Sequence, residues 1–417
     1  MSEREATEGE GPLLDNARPP ANVHDALVAH TARPQDLPAR ADCVVVGGGI
    51  MGLATAFHLA ELGVKDVVVV EKSYLCSGAS GRNGGGVRAQ WSSETNIRRM
   101  RESQDLCADF ATRMRINVWY RKWGYLFLAR SPERAAQLEA SVQLQRANGL
   151  RTELVDAVRV KRIAPEVETT GLEVASYGPD DAVVFPWPFV WGYAKACAER
   201  GVGVFTHTPV TGFETDGRRI RAVVTEAGAI ATDQVVLATG AWSPELAAML
   251  GRSLPNRPHR HEICSTESLK PFLRPLVADL ATGLYCSQSM RGELVGGVSN
   301  ERVPEGLDQR SSLRFLGLYS RELLRTIPRA GGLRVLRQWG GCYDLTPDGN
   351  PIVGRTDELE GLVLLCGFMG HGFMMAPVMG KRVAEHLVRG AHRELFERWS
   401  LTRYRTGKLL EETMILG

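Results

Sequence analysis

Glycines at positions 47, 49 and 52, in "VVVGGGIMGLA", carry the G-x-G-x-x-G spacing. Glu71 closes the next apolar run, roughly 20 residues further on. That spacing serves phosphate chemistry: the first glycine permits a tight turn, the second lets a pyrophosphate approach the backbone, and the third allows close helix–strand contact. The acid is placed to accept from a ribose hydroxyl. A second glycine cluster, Gly367, Gly370 and Gly372 in "GFMGHGF", separates the apolar run "LVLLC" from the helix-like "MMAPVMGKRVAEHLV". Side chains are left out of such a stretch where something must lie against the backbone. His371 sits inside this cluster and reads equally as a ligand-facing group or as a satisfied structural histidine.

These residues need elements to hold them. The stretch "ADCVVVGGGIMGLATAFHLAELGVKDVVVVEK" predicts a buried strand from Cys43 to Val46, a glycine turn, and a helix whose inner face is Ile50, Leu53, Ala54, Phe57 and Leu59. Gly63 ends that helix, and "DVVVVEK" is the next strand. A βαβ unit with glycines and acid in this order predicts dinucleotide binding, without choosing between NAD and FAD. "QVVLATGAWS" is another buried strand, ending in Ala238, Thr239 and Gly240, small enough to let a cofactor pass over the strand end. "SGASGRNGGGVRAQW" adds backbone N–H groups and two arginines, Arg82 and Arg88, beside the expected pyrophosphate.

A length of 417 residues, 44% of them hydrophobic, exceeds the usual single domain and predicts two. The formal net charge of +2, without a long Lys/Arg block, gives no reason to expect nucleic acid. Eight scattered cysteines offer no zinc or redox spacing and fit free thiols in a reducing compartment, so a cytoplasmic location and no metal are expected. Residues 1–40, rich in Pro, Glu, Arg and Ala, predict a disordered tail; an arm docking on a partner through "VHDALVAH" is the alternative. No uninterrupted apolar stretch is long enough to span a bilayer.

With "GYLFLA" and "TPDGNPIVG" added, the sequence resembles the FAD-dependent amine and D-amino acid oxidase (DAO) superfamily, and within it the sarcosine oxidase family. The nearest likeness is to the β subunits of hetero-oligomeric sarcosine oxidase and of dye-linked L-proline dehydrogenase, over essentially residues 41–417. The resemblance implies an α/β (α+β) fold with a Rossmann-like FAD-binding domain discontinuous over 41–110, 179–251 and 343–390. A substrate domain on an antiparallel or mixed sheet would be interleaved with it, over 111–178 and 252–342, leaving a C-terminal tail at 391–417. Noncovalent FAD would lie on Gly47, Gly49, Gly52, Glu71, Lys72, Ser80, Arg82, Gly86, Val210, Ala238, Thr239, Gly240 and Trp242. Its flavin ring would meet Gly367, Gly370, His371, Gly372, Phe373 and Met374, with the last long helix aimed at the pyrimidine end, where reduced flavin carries negative charge.

The implied activity is oxidation of a C–N bond in a secondary or N-methylated amino acid to an imine, which then hydrolyses. Arg88 matches the arginine that holds the substrate carboxylate in monomeric sarcosine oxidases, with a structural ion pair as the alternative. Tyr285 matches a substrate-facing strand and reads nearly as well as a core tyrosine; His261 begins a strand toward the flavin's far face and reads more readily as a domain-junction histidine. Met374 replaces the second carboxylate-binding group, a lysine. The chain also has no lysine between Lys270 and Lys381, where those oxidases carry the one that promotes reaction with oxygen. Unless Arg291 substitutes, electrons are expected to leave through an α-type or electron-acceptor partner subunit. The stretch "YGPDDAVVFPWPF" lacks the histidine that links FMN in the hetero-oligomers, so noncovalent FMN at a subunit interface stays open. A self-contained, peroxide-forming glycine, D-amino acid or opine oxidase is an alternative, and a non-catalytic flavin-binding assembly factor is another.

Overall fold

The computed structural model describes residues 31–32 and 34–415. At its centre the strand β1 (Cys43–Val46) leads through the glycine turn into helix α1 (Ile50–Glu61) and on to strand β2 (Val67–Val70). Both strands are buried throughout, as continuous β-branched runs are when a parallel sheet is covered on both faces. β1 pairs in parallel with β2 on one side and with β3 (Val235–Leu237) on the other, so that Val44 stands between Val68 and Val235. Beyond β3 lies β4 (Leu359–Cys366), also parallel, within a sheet of nine strands. Helix α2 (Glu94–Met114) and helix α3 (Gly372–Arg389) pack nearby, their apolar faces in the same core. Gly380 lets α3 approach α1 closely: a Cβ there would stand 2.6 Å from the Ala54 Cβ.

The second sheet has eight strands in the order Val335–Leu345, Arg257–Ser268, Glu293–Gly297, Leu284–Gln288, Leu276–Asp279, Tyr125–Ala129, Val174–Gly178 and Glu153–Val155. All neighbours run antiparallel except Leu276–Asp279 with Tyr125–Ala129, giving the mixed α/β architecture expected from the sequence. The domain boundary expected between residues 342 and 343 falls inside the strand Val335–Leu345, which carries Tyr343 and Asp344 from the second sheet to the loop after β4.

The two expected tails are described in part. Of residues 1–40, positions 1–30 and 33 lie outside the described residues; Ala32 bridges to Phe205 and Arg40 to Ala231, so sheet contacts begin ahead of residue 41. Of the stretch 391–417, residues 391–415 are described: they form the helices Arg393–Arg398 and Thr402–Thr406, and Trp399 is completely buried. Arg403, equally buried, closes on Asp348 at 2.7 Å, so the guanidinium and the "TPDGN" turn satisfy each other. No described helix is long and apolar enough to cross a membrane.

Candidate active site

One cleft runs over the ends of β1, β2 and β3. Gly47, in the left-handed region at φ +113°, admits no side chain, because a Cβ would run into the Ala238 main chain. Glu71 accepts from Gly48 N at 2.8 Å and Ser73 N at 2.9 Å, so it braces the turn while facing the cleft. Burial pushes its carboxyl upward. Ser80 accepts from Ile50 N at 3.1 Å, taking one of the free donors at the α1 N-terminus. Lys72 lies 3.8 Å over the Trp242 ring, and both border the cleft with Val210, Thr239 and Gly240. Gly49, Gly370, Gly372 and Phe373 complete the expected lining.

Six of the expected cofactor residues stand elsewhere. Gly52 is a packing glycine whose Cβ would strike Gly47 O. Arg82 borders a second, adjoining cavity instead and donates to Ser77 O at 3.1 Å and Gly340 O at 3.2 Å, tying the loop after β2 to the second sheet. Gly86 pairs with Val183 and leaves room for the Tyr125 hydroxyl. Gly367 donates to the Asp344 carboxylate and shapes the loop without lining the cleft. His371 and Met374 face the same adjoining cavity.

That cavity shares Ala79, Asn83, Tyr343, Gly370 and Phe373 with the cleft, so the two open on one another. Arg88 forms part of its wall, fully buried, with its guanidinium 4.1 Å from the Trp91 ring centroid. Its acceptors are Gln90 O, Met414 O and, at 3.1 Å, His371 Nε2, all uncharged. His371 stands at the N-cap of α3, edge-on to Trp91, and burial together with Arg88 holds its pKa well below 6.5. The imidazole is therefore neutral and accepts from Arg88.

The opposite wall is an aromatic stack. His261 lies between Tyr343, with ring centroids 4.6 Å apart, and Tyr285, at 5.6 Å. Its Nε2 meets the Tyr285 hydroxyl at 3.2 Å across the intervening strand, because Gly297 supplies no side chain there. Burial lowers the His261 pKa to about 3. The sequence singled out His261 and Tyr285 but missed Tyr343, which faces both cavities. It also missed Asp344, which orders the loop by accepting from Gly367 N and Asn256 Nδ2. Their one sequence signal is position: an aromatic–acid pair running directly into "TPDGN".

Residues 42–386 match the family of FAD dependent oxidoreductases (DAO). The chain belongs to that family. It is 30% identical to the sarcosine oxidase subunit beta of Rhodobacter capsulatus, over 96% of this chain and 97% of that one. Among solved structures it resembles L-proline dehydrogenase from P. horikoshii, at 33% identity and TM-score 0.84, over 89% of this chain and all of that one. Glycine oxidase from Geobacillus kaustophilus superposes with TM-score 0.80 at 26% identity, over 88% and 99% of the two chains.

The cleft fits FAD on its own chemistry. A glycine turn that excludes Cβ atoms sits at a helix N-terminus, an acid stands at the end of β2, and a second helix N-terminus, that of α3, borders the junction with the second cavity. Gly47, Gly49 and Glu71 would hold the phosphate and ribose portion. Gly370, Gly372, Phe373 and Tyr343 would border the ring where the cavities meet.

Proposed function

We propose that this chain oxidises the C–N bond of a small secondary or N-methylated amino acid to its imine, with Arg88 as the carboxylate anchor. The observation that carries this reading is a completely buried guanidinium in the cavity wall whose acceptors are all neutral. Among the described residues no carboxylate pairs with it; Glu412 and Asp181 act on it only through space. A buried cation without a counter-ion is costly, and a substrate carboxylate removes that cost. Bound FAD supplies the two-electron acceptor. The chain's own part is to orient: Arg88 takes the carboxylate, and the Tyr285–His261–Tyr343 wall confines the amine beside the shared opening. His261, neutral at physiological pH, puts no competing positive charge beside the amine. The relatives' names, sarcosine oxidase and L-proline dehydrogenase, support the same substrate class.

A partner subunit carrying the next electron acceptor belongs to this proposal. Arg291 does not serve as the oxygen-promoting cation: it pairs with Glu293 at 3.3 Å and borders a third cavity, not the one beside Arg88. That third cavity supports the FMN expectation. It is bordered by Trp119, Trp187, Trp339, Arg337 and Arg121. Arg121 is 6% exposed, and its Nε and Nη2 have no partner among the described residues, which suits an anionic group. Eight buried free cysteines suit a reducing cytoplasm, the location we assign.

The test is an anaerobic titration of the FAD-loaded protein with sarcosine, proline and small amines lacking a carboxylate. Bleaching of the flavin band by the amino acids alone is the expected result. Arg88→Ala should keep FAD and lose about 2–5 kcal/mol of substrate binding, as truncated charged pairs do. Equal bleaching by parent and variant would remove Arg88 from the role.

A further inference from the structure

Segment 408–415 crosses from the "TPDGN" turn to the Arg88 guanidinium. Leu410 N donates to Asp348 Oδ2 at 3.2 Å. Glu412, 7% exposed, then sets both carboxylate oxygens into the approach to α2. Its Oε1 accepts from Ser92 N at 2.9 Å and from Ser92 Oγ; its Oε2 accepts from Ser93 Oγ at 3.0 Å and Asn96 Nδ2 at 2.8 Å. Ser93 is the N-cap residue of α2 yet makes no side-chain bond to its own helix, because its hydroxyl is given to Glu412. To the negative charge of Glu94 in the first turn, which favours this helix start, Glu412 adds a second from more than 300 positions away.

The same carboxylate folds its own segment. Oε1 also accepts from Met414 N at 3.1 Å, and Thr413 N donates to Ser92 Oγ at 2.8 Å. This turn aims Met414 O at Arg88 Nη2 and buries the Met414 side chain beside Tyr125 and Leu276, which also line the Arg88 cavity. Remove it, and among the acceptors described Nη2 keeps only His371 Nε2.

We propose that Glu412 is a positioning residue: it latches segment 410–414 onto the start of α2 so that the Met414 carbonyl fixes the plane of the Arg88 guanidinium for the substrate carboxylate. The proposal rests on the reading of Arg88 as the carboxylate anchor. A bidentate pair requires the guanidinium plane to meet the carboxylate plane, so a rotated Arg88 keeps its charge and loses its fit.

The experiment is a double-mutant cycle on the FAD-loaded protein. Its probe is methoxyacetate, which has the carboxylate of an N-methylated amino acid and no oxidisable amine. Affinity is read from the perturbed flavin spectrum, and flavin content is measured for every variant. Glu412→Ala should raise the Kd about tenfold or more with FAD retained, and Glu412→Gln, which keeps an acceptor oxygen, by less than about threefold. In the Arg88→Ala background Glu412→Ala should add nothing, since its effect runs through Arg88. Parent affinity in Glu412→Ala, with Arg88→Ala weakened, overturns the latch and leaves the anchor standing. Parent affinity in Arg88→Ala removes the anchor and the latch with it. A full Glu412 effect without Arg88 also overturns the proposal. Should Glu412→Ala not hold FAD, Ser92→Ala takes its place in the cycle: it removes two bonds of the latch, keeps the charge, and should raise the Kd about threefold.

Discussion

Arg88, His371 and His261 divide the electrostatic work of the cavity beside the cleft, and burial sets the charge of the two histidines. Arg88 keeps its charge because guanidinium does so in any protein environment, while the two imidazoles lose theirs. With a pKa of about 3, His261 does not titrate across the range in which an amino acid oxidation is measured. His261→Asn should therefore slow flavin bleaching by roughly tenfold or more through the lost hydrogen bond and ring contact, yet leave the acid limb of the pH profile in place. Stopped-flow reduction between pH 5 and pH 9 checks this; a limb that moves with the substitution would mean that His261 carries the titrating proton.

At the scale of elements, α1 and α3 are brought together so that two helix N-termini border one cleft, and Gly380 packs directly on Ala54 of α1. Gly380→Val should force the helices apart, costing about 1–3 kcal/mol of stability, and should lower flavin content more than a surface substitution on α3 does. Thermal midpoints and the flavin-to-protein ratio measure both effects; full flavin with an unchanged midpoint would show that the contact is slack. The β1–α1–β2 unit was legible because everything that makes it is local: a valine run, a glycine turn and an apolar face within about thirty residues. The Arg88 cavity was legible only as isolated residues. Its walls come from positions 88, 125, 261, 285, 343 and 371, and no periodicity joins them. Arg82 and Arg88 show the limit: they share one glycine-rich stretch and both border the second cavity, yet Arg82 is taken up by the main-chain carbonyls of Ser77 and Gly340 while Arg88 is fully buried against Gln90 O, Met414 O and His371.

Across the whole molecule two buried acids make stability depend on pH. Burial raises Asp181, which accepts from Ala89 N, Gln90 Nε2 and Gln104 Nε2, and Asp344, beneath the loop after β4, each to about 6 from 3.8. Between about pH 4 and pH 6 the folded chain holds more protons at these two groups than the unfolded chain, so their contribution to stability falls as the pH rises and levels off above 6. His261 and His371, which burial keeps neutral in the folded chain, contribute in the opposite sense. Each shift of about two units amounts to about 3 kcal/mol at full extent. Asp181→Asn should lower the midpoint at every pH through its altered hydrogen bonds and remove one falling contribution, so that between about pH 4.5 and 6.5 its midpoint rises more, or falls less, with pH than the parent's. An unchanged slope would assign the dependence to other groups.

The ladder β2–β1–β3–β4 joins residues 67–70, 43–46, 235–237 and 359–366, and the Arg88 guanidinium is held by the carbonyl of residue 414. During synthesis, at about 5–20 residues per second, the first βαβ unit emerges well before β4 and α3 exist to cover it. The cleft for the flavin is therefore closed by elements made long after its first walls, and Arg88 receives the support of the Met414 carbonyl only once residue 414 has left the ribosome. Flavin capture must then wait until α3 has emerged, and a chain truncated after α3 would carry a cofactor cleft without the Met414 contact to Arg88.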